Sequence, residues 1–126
     1  MKGWYKISQD LSPIPSTCKD GDCYRAAGRY LMDHALFDNK TNLILVHGEV
    51  TGQRKIAGIK FGHAWIEDGD TVVDMSQGRD IRMPKVLYYA LGNIDPSKTF
   101  RYTPEEMNKK LLEFRHWGPW DLQSEF

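Results

Sequence analysis

The sequence lacks an excess of charge of either sign. Its 17 lysines and arginines equal its 17 aspartates and glutamates, and no long run of basic residues is present. Proteins that bind nucleic acid or an anionic membrane surface usually carry a basic patch or a strongly basic net charge. The composition therefore indicates neither partner, and we expect no contact with nucleic acid or membrane.

Long apolar runs are also missing. None approaches the roughly 20 residues that a membrane-spanning helix needs, and the opening segment Met1-Lys2-Gly3-Trp4-Tyr5 lacks the apolar core of a signal peptide. We therefore expect a soluble, cytoplasmic protein. Its 126 residues, 40% of them hydrophobic, fit a single domain over residues 1–126 with one core.

Cysteine is scarce, because the chain has only Cys18 and Cys23. A disulfide between residues so close in sequence would close a small loop, and cytosolic proteins rarely keep disulfides. We therefore expect two thiols rather than a structural crosslink.

The first part of the chain predicts one helix followed by antiparallel strands. Residues 43–47 form a short apolar run typical of a buried strand, 48–55 a polar loop, and 56–60 the approach to a hairpin. We expect a helix from Asp22, a candidate N-cap, to about Phe37, because apolar residues recur with helical spacing at Tyr24, Ala27, Leu31 and Ala35.

The C-terminal part predicts two further helices and an edge strand. Residues 84–91 are expected to form a short helix ended by Gly92, and 99–102 an edge strand. Thr103-Pro104-Glu105-Glu106 combines a cap, a first-turn proline and a capping box, so a helix should begin there and end at Gly118-Pro119. The fold class is α+β: an N-terminal helix packed on an antiparallel sheet, with additional C-terminal helices.

The central hairpin brings a histidine and an aspartate to one face of the sheet. Asp68-Gly69 suits a two-residue turn, and with that loop His63 would lie directly opposite Asp74. Opposed residues share a face. A carboxylate in that place would orient the imidazole and stabilise its charged form.

Cys23 lies at the predicted start of the first helix. Unpaired N–H groups and the helix dipole favour an anion there, and such positions lower cysteine pKa values. Taken alone, Cys23 reads as a small buried residue, His63 as a core histidine and Asp74 as a turn cap. The combination favours a nucleophile, a base and an orienter.

Three segments resemble the papain-like and transglutaminase-like cysteine enzymes. They are 21–27 (Gly-Asp-Cys-Tyr-Arg-Ala-Ala), 62–67 (Gly-His-Ala-Trp-Ile-Glu) and 72–76 (Val-Val-Asp-Met-Ser). In that superfamily a cysteine at a helix N-terminus precedes a histidine and an aspartate on adjacent antiparallel strands. The resemblance covers residues 21 to about 76, and the segments after Pro84 match no part of the pattern.

The resemblance implies a Cys-His-Asp catalytic triad. Cys23 would be the nucleophile, His63 the general base and acid, and Asp74 the orienter. Separately from the resemblance, Trp65 lies two residues from His63 along the predicted strand and shares its face, so it is our candidate for a wall of the substrate cleft, with packing in the core as the alternative. The expected function is a thiol-dependent hydrolase, a peptidase or amidase, that acts on a protein or peptide through a thioester. No cofactor is expected.

Three alternatives remain open. An amine acceptor would make the protein a transglutaminase-like acyltransferase, and loss of turnover would leave a binding or inhibitor protein on the same scaffold. Cys18, Cys23, His63 and Asp74 could also bind a metal, although the Cys-x4-Cys spacing is longer than in the usual zinc site. We expect no metal.

Overall fold

The structure is a computed structural model that describes residues 22–37, 42–52, 58–78 and 80–123. Cys18 and the N-terminal leader lie outside these ranges. In chain order the elements are α1 (Asp22–Phe37), β1 (Leu43–Thr51), β2 (Lys60–Asp68), β3 (Thr71–Asp74), β4 (Ile81–Pro84), α2 (Lys85–Leu91), a 3₁₀-helix (Pro96–Lys98), β5 (Phe100–Tyr102) and α3 (Pro104–Phe114).

The strands form one antiparallel sheet in the order β4-β3-β2-β1-β5. This arrangement, with helices packed on it, confirms the α+β class. The expected edge strand is present as β5. Two expectations are wrong: β1 continues through Thr51, where a loop was expected, and Pro84 ends the edge strand β4 instead of beginning the helix, which starts at Lys85.

The expected turn of the central hairpin is wrong by one residue. Asp68 pairs with Thr71, so the two-residue loop is Gly69-Asp70 rather than Asp68-Gly69. Gly69 has a φ of 61°, and glycine supplies the positive φ that a tight hairpin needs at its first loop position. Continuing this register places Asp74 across from Trp65.

The sheet separates two apolar clusters, because successive residues of a strand point to opposite faces. The α1 face carries Leu43, Leu45, Ala64, Ile66 and Val73, which pack with α1 and α3. The α2 face carries Val46, Val50, Phe61, Trp65 and Val72, which pack with Tyr88 and Tyr89 of α2. Each face therefore has its own helical cover.

The helices follow local sequence signals closely. Helix α1 spans Asp22–Phe37 as expected, although Asp22 is its first helical residue and its carboxylate pairs with Arg25 at 3.1 Å. Gly92 caps the end of α2. Within the described part of the chain, no helix is both long enough and apolar enough to cross a bilayer.

Helix α3 begins with the expected capping box but ends earlier than expected. Thr103 and Glu106 exchange both bonds of the box. The helix stops at Phe114, where Arg115 adopts the left-handed conformation, rather than at Gly118-Pro119. The following segment packs its tryptophans, Trp117 and Trp120, against the α1-face cluster.

Candidate functional site

His63 and Asp74 form a buried pair on the α2 face. His63 Nε2 lies 2.9 Å from Asp74 Oδ2, and neither side chain is exposed to solvent. The His63 ring lies between Phe61 and Trp65, with centroid distances of 6.0 and 6.1 Å. His63 and Asp74 are therefore diagonal neighbours on one face, rather than the directly opposed pair that was expected.

Asp74 is held by four hydrogen bonds. Its Oδ1 accepts from the backbone N–H of Ser76 at 2.9 Å and from Ser76 Oγ at 2.6 Å. Its Oδ2 accepts from His63 and, at 2.6 Å, from the Tyr88 hydroxyl group. Burial alone would raise the pKa of Asp74, but the His63 ring and these hydrogen bonds outweigh it and hold that pKa below its usual range.

The second ring nitrogen of His63 has no such partner. Nδ1 is buried and makes no hydrogen bond to any group in the part of the chain that the structure describes. Because the Asp74 carboxylate only accepts, we assign the Nε2 proton to His63, which leaves Nδ1 with a lone pair in the neutral ring. A buried imidazole with one nitrogen fixed and the other open has the form of a general base.

Comparisons with known proteins gave no match. Neither family models, curated proteins nor solved structures matched this chain.

Cys23 is not brought to this pair. It is 2% exposed and belongs to the α1-face cluster together with Ala64 and Ile66, whereas the His63 ring lies on the α2 face. Cys23 is also disulfide-bonded, so the expected thiol is absent in this structure. The reason for the separation is the packing of α1, which covers the face that His63 does not share.

Trp65 does not line an open cleft. Its side chain is fully buried and packs against Tyr88 and Tyr89, with ring centroids 5.4 and 5.8 Å away. Its Nε1–H donates to Glu67 Oε2 at 3.1 Å. The expected substrate wall is therefore a core residue that links the His63 pair to a second buried carboxylate.

That second carboxylate, Glu67, lies on the same face and is neutralised by cations. Its Oε1 contacts Arg101 Nη2 at 2.6 Å and Lys85 Nζ at 3.2 Å, and both contacts are ion pairs rather than well-directed hydrogen bonds. Its Oε2 accepts from the Tyr89 hydroxyl group. Burial would raise the pKa of Glu67, but the Arg101 guanidinium group and the hydrogen bonds from Tyr89 and Trp65 lower it below its usual range.

A second buried imidazole, His47, lies on the α1 face. Its ring packs among Tyr24, Tyr102 and Trp120 at centroid distances of 4.9, 5.1 and 4.9 Å. Neither nitrogen has a hydrogen-bond partner among the described residues. Burial lowers the pKa of His47 to about 3, so the ring stays neutral and is a poor base.

Neither a metal-binding cluster nor the apolar cavity described next extends the His63–Asp74 pair into a larger site. Among the described residues no cluster of three histidine, cysteine or acidic side chains is suited to a metal ion. An apolar cavity of about 520 Å³ lies between α1 and α3, away from His63, and is lined in part by Met32, Leu36 and Met107. Sequence reasoning missed Tyr88 because nothing local links it to Asp74.

Proposed function

We propose that the chain is a thiol-dependent hydrolase, a peptidase or amidase of the papain-like and transglutaminase-like type. Its acid–base pair would be His63 and Asp74, and its nucleophile Cys23 in reduced form. One observation supports this: His63 has one nitrogen bonded to a carboxylate held by four donors and the other buried without a partner among the described residues. The carboxylate partner distinguishes His63 from His47, whose two nitrogens both lack a partner among the described residues.

The chemistry follows from these groups. His63 Nδ1 takes the proton of the Cys23 thiol, and the sulfur attacks the carbonyl carbon of an amide or ester. The imidazolium, stabilised by Asp74, protonates the departing amine or alcohol, and a thioester remains on Cys23. Water, deprotonated by His63, then releases the carboxylic acid and restores the thiol. An amine in place of water would give acyl transfer.

The proposal makes two demands on the protein. The disulfide at Cys23 must first be cleaved by a thiol reductant, which a cytoplasmic location would supply; we include that location in the proposal. Cys23 must also leave the α1-face cluster and pass around the sheet, because the sulfur and the His63 ring lie on opposite faces of it.

The disulfide at Cys23 and the separation of Cys23 from His63 favour a second candidate function. A non-catalytic binding protein, such as an inhibitor of another protein, needs no thiol and no contact between Cys23 and His63. On this hypothesis the disulfide crosslinks the start of α1, and His63 with Asp74 is a structural pair that joins β2, β3 and α2.

Acylation of the reduced protein distinguishes the two. After treatment with a phosphine reductant, p-nitrophenyl acetate should place one acetyl group on Cys23, detected by peptide mass spectrometry. His63→Ala should slow this step by roughly 100-fold or more, the usual contribution of a general base. Cys18→Ser should leave it intact, and Cys23→Ser should abolish it.

His34 supplies the matched histidine control, because it lies in the last turn of α1 and stacks on Tyr30. His34→Ala should acylate like the wild type. If reduced wild-type protein is acylated no faster at Cys23 than His63→Ala, the hydrolase proposal is wrong and the binding protein is favoured.

A further inference from the structure

Asp74 Oδ2 accepts two hydrogen bonds. One comes from helix α2, which follows the segments that resemble the cysteine enzymes. The Tyr88 hydroxyl group donates to it at 2.6 Å, and His63 Nε2 lies 2.9 Å from the same oxygen. The Tyr88 side chain is fully buried in the α2-face cluster. Burial, and then the charge of Asp74, raise the pKa of Tyr88 well above its usual value, so the hydroxyl group remains a donor.

We propose that Tyr88 is a positioning residue for the His63–Asp74 pair. Its hydroxyl group holds Asp74 Oδ2 in place and uses part of that oxygen's accepting capacity. It thereby limits how strongly the carboxylate binds the His63 ring. The catalytic consequence of this role rests on the proposed function, whereas the role itself can be measured without turnover.

The geometry separates the tasks of the two carboxylate oxygens. Ser76 donates twice to Oδ1 and fixes the carboxylate to the turn after β3. Tyr88 reaches Oδ2 from the helix that covers the pair, so α2 and β2 both contact the same oxygen. Loss of the Tyr88 hydroxyl group should leave Asp74 anchored through Ser76 but give Oδ2 to His63 alone.

Other charged groups near the pair do not duplicate this role. Glu67 on β2 is paired with Lys85 and Arg101. His47 on β1 faces away, on the α1 face, and interacts with His63 only electrostatically through the sheet. Helix α2 therefore contacts Asp74 directly through the hydroxyl group of Tyr88.

The adjacent residue offers a matched control. Tyr89 is buried on the same helix, and its hydroxyl group donates to Glu67 rather than to Asp74. Tyr88→Phe and Tyr89→Phe each remove one oxygen that donates to a buried carboxylate. They differ in which carboxylate loses its donor.

The test follows the His63 Nε2–H proton by NMR. A hydrogen bond to a charged acceptor shortens and strengthens when the acceptor is not shared. Tyr88→Phe should therefore move this resonance downfield, whereas Tyr89→Phe should leave it near its wild-type position. Ser76→Ala, which removes a donor at Oδ1 only, should move it less than Tyr88→Phe does. Thermal melts confirm that each variant is folded.

An unchanged resonance in Tyr88→Phe, or an equal shift in Tyr89→Phe, would overturn the inference. The acylation assay keeps the two proposals apart. If the resonance moves but wild-type Cys23 is never acylated, the positioning role holds and the hydrolase proposal fails. If Cys23 is acylated through His63 and the resonance does not move, the hydrolase proposal holds and the role of Tyr88 fails.

Discussion

At the scale of single residues, the two buried histidines differ in how their polar atoms are satisfied. His63 is tied to a carboxylate with a lowered pKa, whereas His47 is surrounded by aromatic rings and has no hydrogen-bond partner among the described residues. Burying an unsatisfied imidazole costs stability, and charging it there would cost more. His47 is therefore expected to make the protein sensitive to acid.

The sign of this effect follows from linkage. Burial lowers the pKa of His47 from its ordinary value of 6.5 to about 3 in the folded state. The unfolded chain takes up the proton first, so this contribution to stability is complete above about pH 6.5 and is lost as the pH falls toward 3. At about 1.4 kcal/mol per pH unit, roughly 2–3 kcal/mol should be lost between pH 6.5 and 4.5.

Urea titrations at pH 7 and 4.5 test this expectation. His47→Phe keeps an aromatic ring and cannot be protonated, so it should remove most of the difference between the two pH values. His34→Phe, at a half-buried site on α1, should retain it. The expectation fails if wild type and His47→Phe lose the same free energy of unfolding on acidification.

At the scale of elements, local sequence signals predicted the start of α3 but not its end. Its capping box formed as expected because Thr103 and Glu106 need only each other and the backbone. Its end was misplaced because a left-handed Arg115 stops the helix before the Gly-Pro pair. The free energy of the cap is local and can be measured by substitution.

Thr103→Ala should lower the free energy of unfolding by about 1 kcal/mol, since it leaves the Glu106 N–H without its side-chain partner. Glu106→Gln should cost less, because an amide oxygen can still accept from the Thr103 N–H group. Thermal melts compare the two. Equal losses in both variants would mean that the charge of Glu106 contributes as much as the cap hydrogen bond of Thr103.

At the scale of the whole molecule, the sheet decides which chemistry-bearing residues lie on the same face in this structure. It separates Cys23 and His47 on the α1 face from His63 and Asp74 on the α2 face. The segment after α3 closes the α1 face: a Cβ atom at Gly118 would lie 2.7 Å from His47 Cε1 and 3.2 Å from Tyr24 Cδ1. Gly118 therefore permits the close approach of this segment to both the sheet and α1.

Gly118→Ala should destabilise the fold by about 2–4 kcal/mol, through overpacking together with the strain of a positive φ of 126°. Gly78→Ala is the control, because Gly78 also has a positive φ, 74°, but a Cβ atom there meets nothing within 4 Å. Denaturant unfolding should show the larger loss for Gly118→Ala. Equal losses would assign the whole effect to backbone strain.

The sequence by itself determined the features that depend on neighbouring residues. Helix α1, the capping box of α3 and the hairpin follow from short-range patterns. His63 and Asp74 lie on the same face as expected, although the expected turn was one residue off. Moving a two-residue loop by one position moves the cross-strand partner of each residue by two positions, and residues two apart on a strand point to the same face.

Only the tertiary structure decided which helix covers which face. Alternation along a strand shows which side chains point to the same face of the sheet. It does not show which face α1 or α2 will cover, because that depends on the loops that connect the elements and on the burial of both faces of the sheet. For this reason the sequence could not predict that α1 would place Cys23 across the sheet from His63, or that Tyr88 would reach Asp74 from α2.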